Sequence, residues 1–281
     1  MTSAVTAAGT ARPGGPGSAP GGHYRFRGIA RMEWIKLRSL RSVRWTALGT
    51  AVIMIGLGML VLHLAVAHWG QWSRADQRAF DPVSNGFTGL ALAQLAAAAI
   101  GVLAVTSEYS SGMIRATLAA APGRVRLALA KAAVLAAAVL LIGEVLAFVT
   151  FFASEAMLHG PVPRATLATQ GALRAVVLAG AYLALIALIG LGAGLIIRHS
   201  AAAITTLCVI ILLLPALTLP FSMSVQHATQ KFLPEIIAEN SLAAVKPIPY
   251  SLTPWMGLAV LMLYAAAVVG AGTWLLARRD A

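Results

Sequence analysis

The chain has few charged residues. Asp, Glu, Lys and Arg make up 11% of its 281 residues, whereas hydrophobic residues make up 59%. Soluble domains carry about 25% charged and about 45–50% apolar residues. Together with a mean hydropathy of +0.82, this composition excludes an ordinary water-soluble enzyme.

Cysteine is almost absent as well. Cys208 is the single cysteine, so the chain can form neither an internal disulfide nor a cysteine-based metal cluster. We interpret Cys208 as a small buried apolar residue.

The sequence also lacks the motifs of nucleotide-dependent and common membrane enzymes. None of its four lysines follows a glycine, so the Gly-Lys-[Ser/Thr] core of a P-loop is missing. The HExxH zinc motif and the GxSxG nucleophile elbow are missing too. We therefore expect no enzyme: no catalytic residue, no metal site and no ATP site in this chain.

What the sequence does contain is a set of apolar blocks, each long enough to cross a bilayer as a helix of about 20 residues. They do not alternate polar and apolar residues as barrel strands do. We predict an all-α integral membrane protein with six transmembrane helices, over residues 46–67, 87–107, 132–153, 175–197, 201–221 and 256–276.

The remaining residues form no second domain. Residues 1–22 consist mostly of Ala, Gly, Pro, Ser and Thr, which predicts a disordered tail. Residues 23–281 are predicted to form one transmembrane domain, because no segment outside the blocks has the length of an independent soluble domain.

The basic residues fall mainly on one side of the blocks. Of the 21 Lys and Arg residues, 15 lie in the N-terminal segment, in the second and fourth loops and at the C-terminus. The positive-inside rule then predicts a multi-pass protein of the cell membrane with both termini in the cytoplasm. The net charge of +12 thus indicates topology and contact with anionic membrane lipids, not nucleic acid.

The segment before the first block has its own periodicity. Apolar residues recur there at spacings of three and four, with arginines beside them: Phe26, Ile29, Ala30, Trp34, Leu37 and Leu40, and Arg27, Arg31 and Arg38. This pattern predicts an amphipathic cytoplasmic helix at the membrane surface. A charge cluster that only sets topology is the alternative.

Polar residues inside the blocks are candidates for function. Glu144 is the thirteenth of 22 residues in the third block, where a carboxylate is costly and should face protein or water. A hydrogen bond to Gln94 or Thr205 on a neighbouring helix would give it a structural role, and contact with a substrate or proton a functional one. Gly190 and Gly194 form a GxxxG pattern that predicts close helix packing.

The segment between the fifth and sixth blocks is interrupted by prolines. Apolar pairs four residues apart, such as Phe232 with Ile236 and Leu233 with Ile237, predict short helices that dip into the outer leaflet. The alternative is a surface loop fixed by packing.

Two stretches resemble the ABC-2-type permeases of ABC transporters, in an actinobacterial-looking branch. One, Glu108-Tyr-Ser-Ser-Gly-Met-Ile-Arg-Ala-Thr-Leu118, is similar to the first cytoplasmic loop of that family, with Met113 where the family more often has Thr. The other, Glu33-Trp-Ile-Lys-Leu-Arg-Ser-Leu-Arg-Ser42, resembles the segment before its first helix. With the six predicted helices and the long last outer loop, the resemblance covers residues 25–281.

The resemblance implies a permease subunit of an exporter, acting as a homodimer or heterodimer. ATP and Mg²⁺ would bind separate ATPase subunits, and a re-entrant outer gate would precede the last helix. The loop between the second and third helices would couple to the ATPase. Matched to the family motif, its coupling candidates are Glu108, Tyr109, Gly112, Arg115, Thr117 and Leu118. The alternatives are a secondary transporter or channel not powered by ATP, and a non-transporting membrane scaffold.

Overall fold

The computed structural model describes residues 26–39, 41–113, 123–244 and 250–278. Within these ranges the regular structure is helical and contains no strand. The helices there are α1 (Phe26–Ser39), α2 (Arg41–His68), α3 (Arg74–Ala79), α4 (Pro82–Gly86), α5 (Leu90–Ser110), α6 (Arg124–Met157), α7 (Ala172–Ile197), α8 (Ser200–Leu217), α9 (Met223–Gln230), α10 (Pro234–Leu242) and α11 (Pro254–Arg278), with a 3-10 turn, Trp69–Gln71, after α2. The tail predicted for residues 1–22 lies outside the described residues.

Six of the described helices are long and apolar enough to cross a membrane, namely α2, α5, α6, α7, α8 and α11. Each overlaps one of the six predicted segments. For the residues that the structure describes, the prediction of an all-helical architecture with six segments fit to span a membrane is therefore confirmed.

The boundaries of the second segment differ from the prediction, which placed its start at residue 87. The helix α5 begins only at Leu90, because a separate short helix, α4, precedes it. The carboxylate of Asp81 caps α4 by accepting from the backbone N–H groups of Val83 and Ser84, and Pro82 occupies its first turn. Both features favour a new helix start.

The fifth segment ends earlier than predicted, at Leu217 instead of residue 221. Pro215 lies in its last turn, and the Pro215 carbonyl accepts from the backbone N–H and the hydroxyl of Thr218. These local bonds satisfy the terminal carbonyl and replace the continuing helical ladder.

The helix α7 lies at the centre of the bundle, in contact with α5, α6, α8, α10 and α11. Glycines from both helices allow α7 and α5 to come into close contact. A Cβ atom at Gly190 would lie 2.2 Å from the Ala98 carbonyl oxygen, and one at Gly101 would lie 1.9 Å from that of Ala187. Gly194 lies on the same contact. The two backbones therefore approach more closely than any larger residue would allow.

One end of the bundle gathers α1, the end of α5, the start of α6, the α7–α8 junction and the end of α11; we call it the basic end. Arg124 Nη1 donates to the Leu276 carbonyl oxygen at 3.2 Å. Ser200 Oγ donates to Thr106 Oγ1 at 2.9 Å. The two ends of the described chain, residues 26 and 278, thus lie at the same end of the bundle.

The opposite end of the bundle holds the segment between α2 and α5 and the segment between α8 and α11. Asp81 Oδ2 accepts from the Ala244 N–H at 2.7 Å, which joins the α4 region to the segment after α10. In that segment α10 buries Ile237, and a Cβ atom at Gly257 of α11 would lie 2.8 Å from Ile237 Cγ2. The short helices predicted before the last spanning helix are present, and α10 packs on the bundle.

Candidate functional site

Four charged side chains from three helices meet at the basic end. Glu33 and Lys36 come from α1, Glu108 from the last turns of α5, and Lys131 from the first turns of α6. Glu33, Glu108 and Lys131 are 3%, 5% and 8% exposed. We call this set the ion network, and its burial distinguishes it from the surface charges around it.

Lys131 is the centre of the ion network. Its ammonium group donates to Glu33 Oε2, to Glu108 Oε1 at 2.6 Å and to the Ala104 carbonyl oxygen at 3.3 Å. A lysine ammonium carries three N–H donors, so these three acceptors satisfy it completely.

Lys36 forms the second bridge between the two carboxylates. Its Nζ lies 3.1 Å from Glu33 Oε1 and 3.2 Å from Glu108 Oε1. Two cations and two anions give the network zero net charge, which is the condition under which buried charges are tolerated. Glu108 Oε2 is buried and accepts no hydrogen bond from any residue that the structure describes.

A cavity of about 210 Å³ lies beside the ion network. Besides the four charged residues, Ser39, Ser107 and Ser111 contribute to its wall. Glu108 and Ser111, two residues of the motif that resembles the ABC-2 coupling loop, therefore line this cavity at the basic end.

Three of the six coupling candidates are described. Glu108 belongs to the ion network, and the ring of Tyr109 lies 5.2 Å from Arg198 Cζ in a cation–π contact. Gly112 lies two residues beyond the end of α5 and has a φ of +70°. The other three candidates, Arg115, Thr117 and Leu118, lie outside the described residues.

The reason for a glycine at position 112 is conformational. A Cβ atom there would meet no described atom within 4 Å, so no close contact with a described residue requires a glycine. A φ of +70° is instead the left-handed conformation that glycine adopts at helix C-termini.

The hydrogen bonds considered for Glu144 are not formed. Gln94 Oε1 accepts instead from the Tyr182 hydroxyl, and Gln94 Nε2 donates to the Ala91 carbonyl oxygen at 2.9 Å. Thr205 is exposed on α8. Glu144 packs on α7, where a Cβ atom at Gly180 would lie 2.5 Å from its carboxyl carbon.

A second cavity, of about 330 Å³, lies at the opposite end between α5 and α10. Gln94 lines it together with Glu235 and Glu239 of α10. Burial raises the pKa of Glu235 above its ordinary value, and the nearby carboxylate of Glu239 raises it further.

Sequence reasoning missed the ion network because Lys36 and Lys131 counted only as topology signals. One signal was present: Glu33 and Lys36 fall three residues apart, on the side of α1 that also carries Ile29. A carboxylate within an apolar stripe predicts a buried partner. The identity of that partner depended on how α1 packs on α6.

No protein-family model matches the chain, and no curated protein gives a significant match. Among the residues that the structure describes, no three His, Cys, Asp or Glu residues are placed to hold a metal ion together. The functional argument therefore rests on the chain's own residues.

Proposed function

We propose that this chain is the transmembrane permease subunit of an ABC-2-type exporter, which dimerises and couples to separate ATPase subunits at the basic end. The observation that carries the proposal is the position of Glu108. This first residue of the motif that resembles the family's coupling loop is also a member of the buried ion network.

The ion network gives the coupling segment a mechanical connection to the rest of the subunit. Glu108 lies at the end of α5, and its ion pairs reach α1 through Lys36 and α6 through Lys131. A displacement of the segment after Gly112 would act on all three helices together. Removing one partner of a buried ion pair costs about 3–5 kcal/mol, so the three helices should move as one unit.

The contact between α5 and α7 extends this unit into the bundle. Gly101 and Gly190 bring the two backbones together, and a contact without flexible side chains transmits displacement with little loss. At its far end α5 carries Gln94, which lines the outer cavity. Gln94 is our candidate for the substrate pathway, whereas Glu144 and Thr205 do not line that cavity. Thr205, exposed on α8, would face the second subunit or lipid.

In this proposal the basic end faces the cytoplasm of a cell-membrane protein, and α9 and α10 form the outer gate. The ATP and Mg²⁺ that drive export bind the partner ATPase, and the second permease subunit completes the pathway.

The proposal is tested by reconstitution with and without ATPase subunits. The purified chain alone should show no ATP binding, and co-expression with its cognate ABC ATPase should give a detergent-stable complex that hydrolyses ATP. ATP binding by the isolated chain, or failure of every ABC ATPase from the same cell to form a complex, would reject it.

A further inference from the structure

The helix α1 has two faces of different character. Ile29 and Glu33 are buried against α6, where Ile29 packs on Leu127 and Ala130. Because an α-helix turns by about 100° per residue, five other side chains of α1 lie on the face opposite Ile29 and Glu33. They are Arg27, Arg31, Trp34, Ile35 and Arg38, and each is exposed. We call these five residues the arginine face.

The arginine face combines positive charge with exposed apolar surface. Trp34 is 42% and Ile35 59% exposed, on either side of the three arginines. The pattern continues at the start of α2, where Arg41 and Arg44 are exposed and Trp45 is 72% exposed. A tryptophan beside cationic side chains is typical of the membrane–water interface.

No negative charge opposes these arginines on α1. Glu33 is the single acidic residue of α1, and it is buried on the other face, paired with Lys36 and Lys131. The exposed charges of α1 are thus of one sign, which favours an anionic binding partner.

We propose that the arginine face binds the phosphate groups of anionic phospholipids in the bilayer that the spanning helices cross. The guanidinium group presents paired donors that match phosphate oxygens. Only one residue separates α1 from α2, a helix fit to span the membrane, so the face lies within reach of the headgroups.

This inference does not depend on the proposed transport function. It gives α1 a double role, because its inner face belongs to the ion network while its outer face holds lipid.

The test uses the full chain in nanodiscs and the fluorescence of Trp34. Phosphatidylcholine discs contain a small fixed fraction of brominated lipid, either brominated phosphatidylglycerol or brominated phosphatidylcholine. The fluorescence of Trp34 is obtained by subtracting the tryptophan fluorescence of the Trp34→Phe variant from that of the wild-type chain. Trp45→Phe supplies a second reporter on the same surface.

We expect brominated phosphatidylglycerol to quench Trp34 several times more strongly than brominated phosphatidylcholine. Each arginine near an anionic surface contributes about fivefold in binding, from about 1 kcal/mol. A variant with Arg27→Gln, Arg31→Gln and Arg38→Gln should lose most of the difference in quenching between the two brominated lipids. Molar salt should reduce it as well, because it screens exposed charges.

The matched control changes Arg74→Gln and Arg78→Gln, two exposed arginines at the opposite end of the bundle, and should leave the quenching unchanged. Equal quenching by the two brominated lipids would overturn the inference. So would an unchanged lipid preference in the triple variant. If that variant loses a protein partner while the wild type shows no lipid preference, the arginine face is a protein interface and the inference fails.

Discussion

Lys131 donates a hydrogen bond of 2.6 Å to Glu108 across a buried contact between α6 and α5. The two residues lie 23 positions apart, on either side of the loop that joins these helices. The ion pair therefore closes the base of the loop between α5 and α6, which carries most of the motif that resembles the ABC-2 coupling loop. Glu33 completes the contact from α1, so the Lys131 ammonium group contacts carboxylates from two other helices, α1 and α5.

The first prediction concerns that ammonium group. Lys131→Met leaves Glu33 and Glu108 buried with Lys36 as their only cation, and should lower the free energy of unfolding by about 3–5 kcal/mol. Thermal unfolding in detergent measures the loss. Arg126→Met, at an exposed position of the same helix, should change little. Equal stability of the two variants would show that the network contributes nothing.

The second prediction concerns the contact between α5 and α7. Gly190→Ala forces a Cβ atom against the Ala98 carbonyl oxygen, and should destabilise the chain by about 1–3 kcal/mol because the helices must separate. Gly270→Ala is the control, since a Cβ atom there meets no described atom within 4 Å. A stable Gly190→Ala variant in thermal unfolding would contradict the packing described.

The third prediction separates conformation from contact at Gly112. Gly112→Val places a β-branched residue at a φ of +70°, which costs about 1–2 kcal/mol and shifts the following segment. Gly112→Asn should be tolerated, because asparagine adopts this conformation readily. The measurement is ATP hydrolysis by the complex of this chain with its proposed ATPase, and Ser110→Ala is the neutral control. Loss of activity in the Gly112→Asn variant would contradict this account, because it would show that position 112 requires the absence of a side chain and not only the left-handed conformation.

The fourth prediction follows from Glu235. Because burial raises its pKa in the folded chain, the folded chain binds this proton more tightly than the unfolded chain does. The free energy of unfolding should therefore fall as the pH rises from the ordinary value of 4.5 through the raised pKa. Glu235→Gln should flatten this dependence, and Glu239→Gln should weaken it. An unaltered pH profile of thermal unfolding in Glu235→Gln would contradict the assignment.

The sequence predicted the number and approximate position of the helices that are fit to span a membrane, because runs of about 20 apolar residues have few alternatives to such helices. It did not predict the early end of α8 or the separate helix α4. Those boundaries depend on local bonds made by Pro215 and Asp81, which a hydropathy pattern does not contain.

The site was predicted only in part. The motif singled out Glu108, which the structure places in the ion network, but no pattern pointed to Glu33, Lys36 and Lys131 as its partners, because their pairing depends on how α1 packs on α6. The only sequence feature of Glu144 that suggests a function is its position in the middle of the third apolar block. Depth along a helix does not fix the direction of a side chain around it, and Gln94 bonds with Tyr182 instead.

The central claim, that the basic end recruits an ATPase, is tested most directly by the affinity of the purified chain for its ABC ATPase. Arg115→Glu should leave membrane abundance normal and weaken binding at least about thirtyfold, as an inverted interfacial charge costs about 2–5 kcal/mol. Arg78→Glu, an exposed change at the opposite end, should bind like the wild type. Equal binding by both variants would contradict the claim.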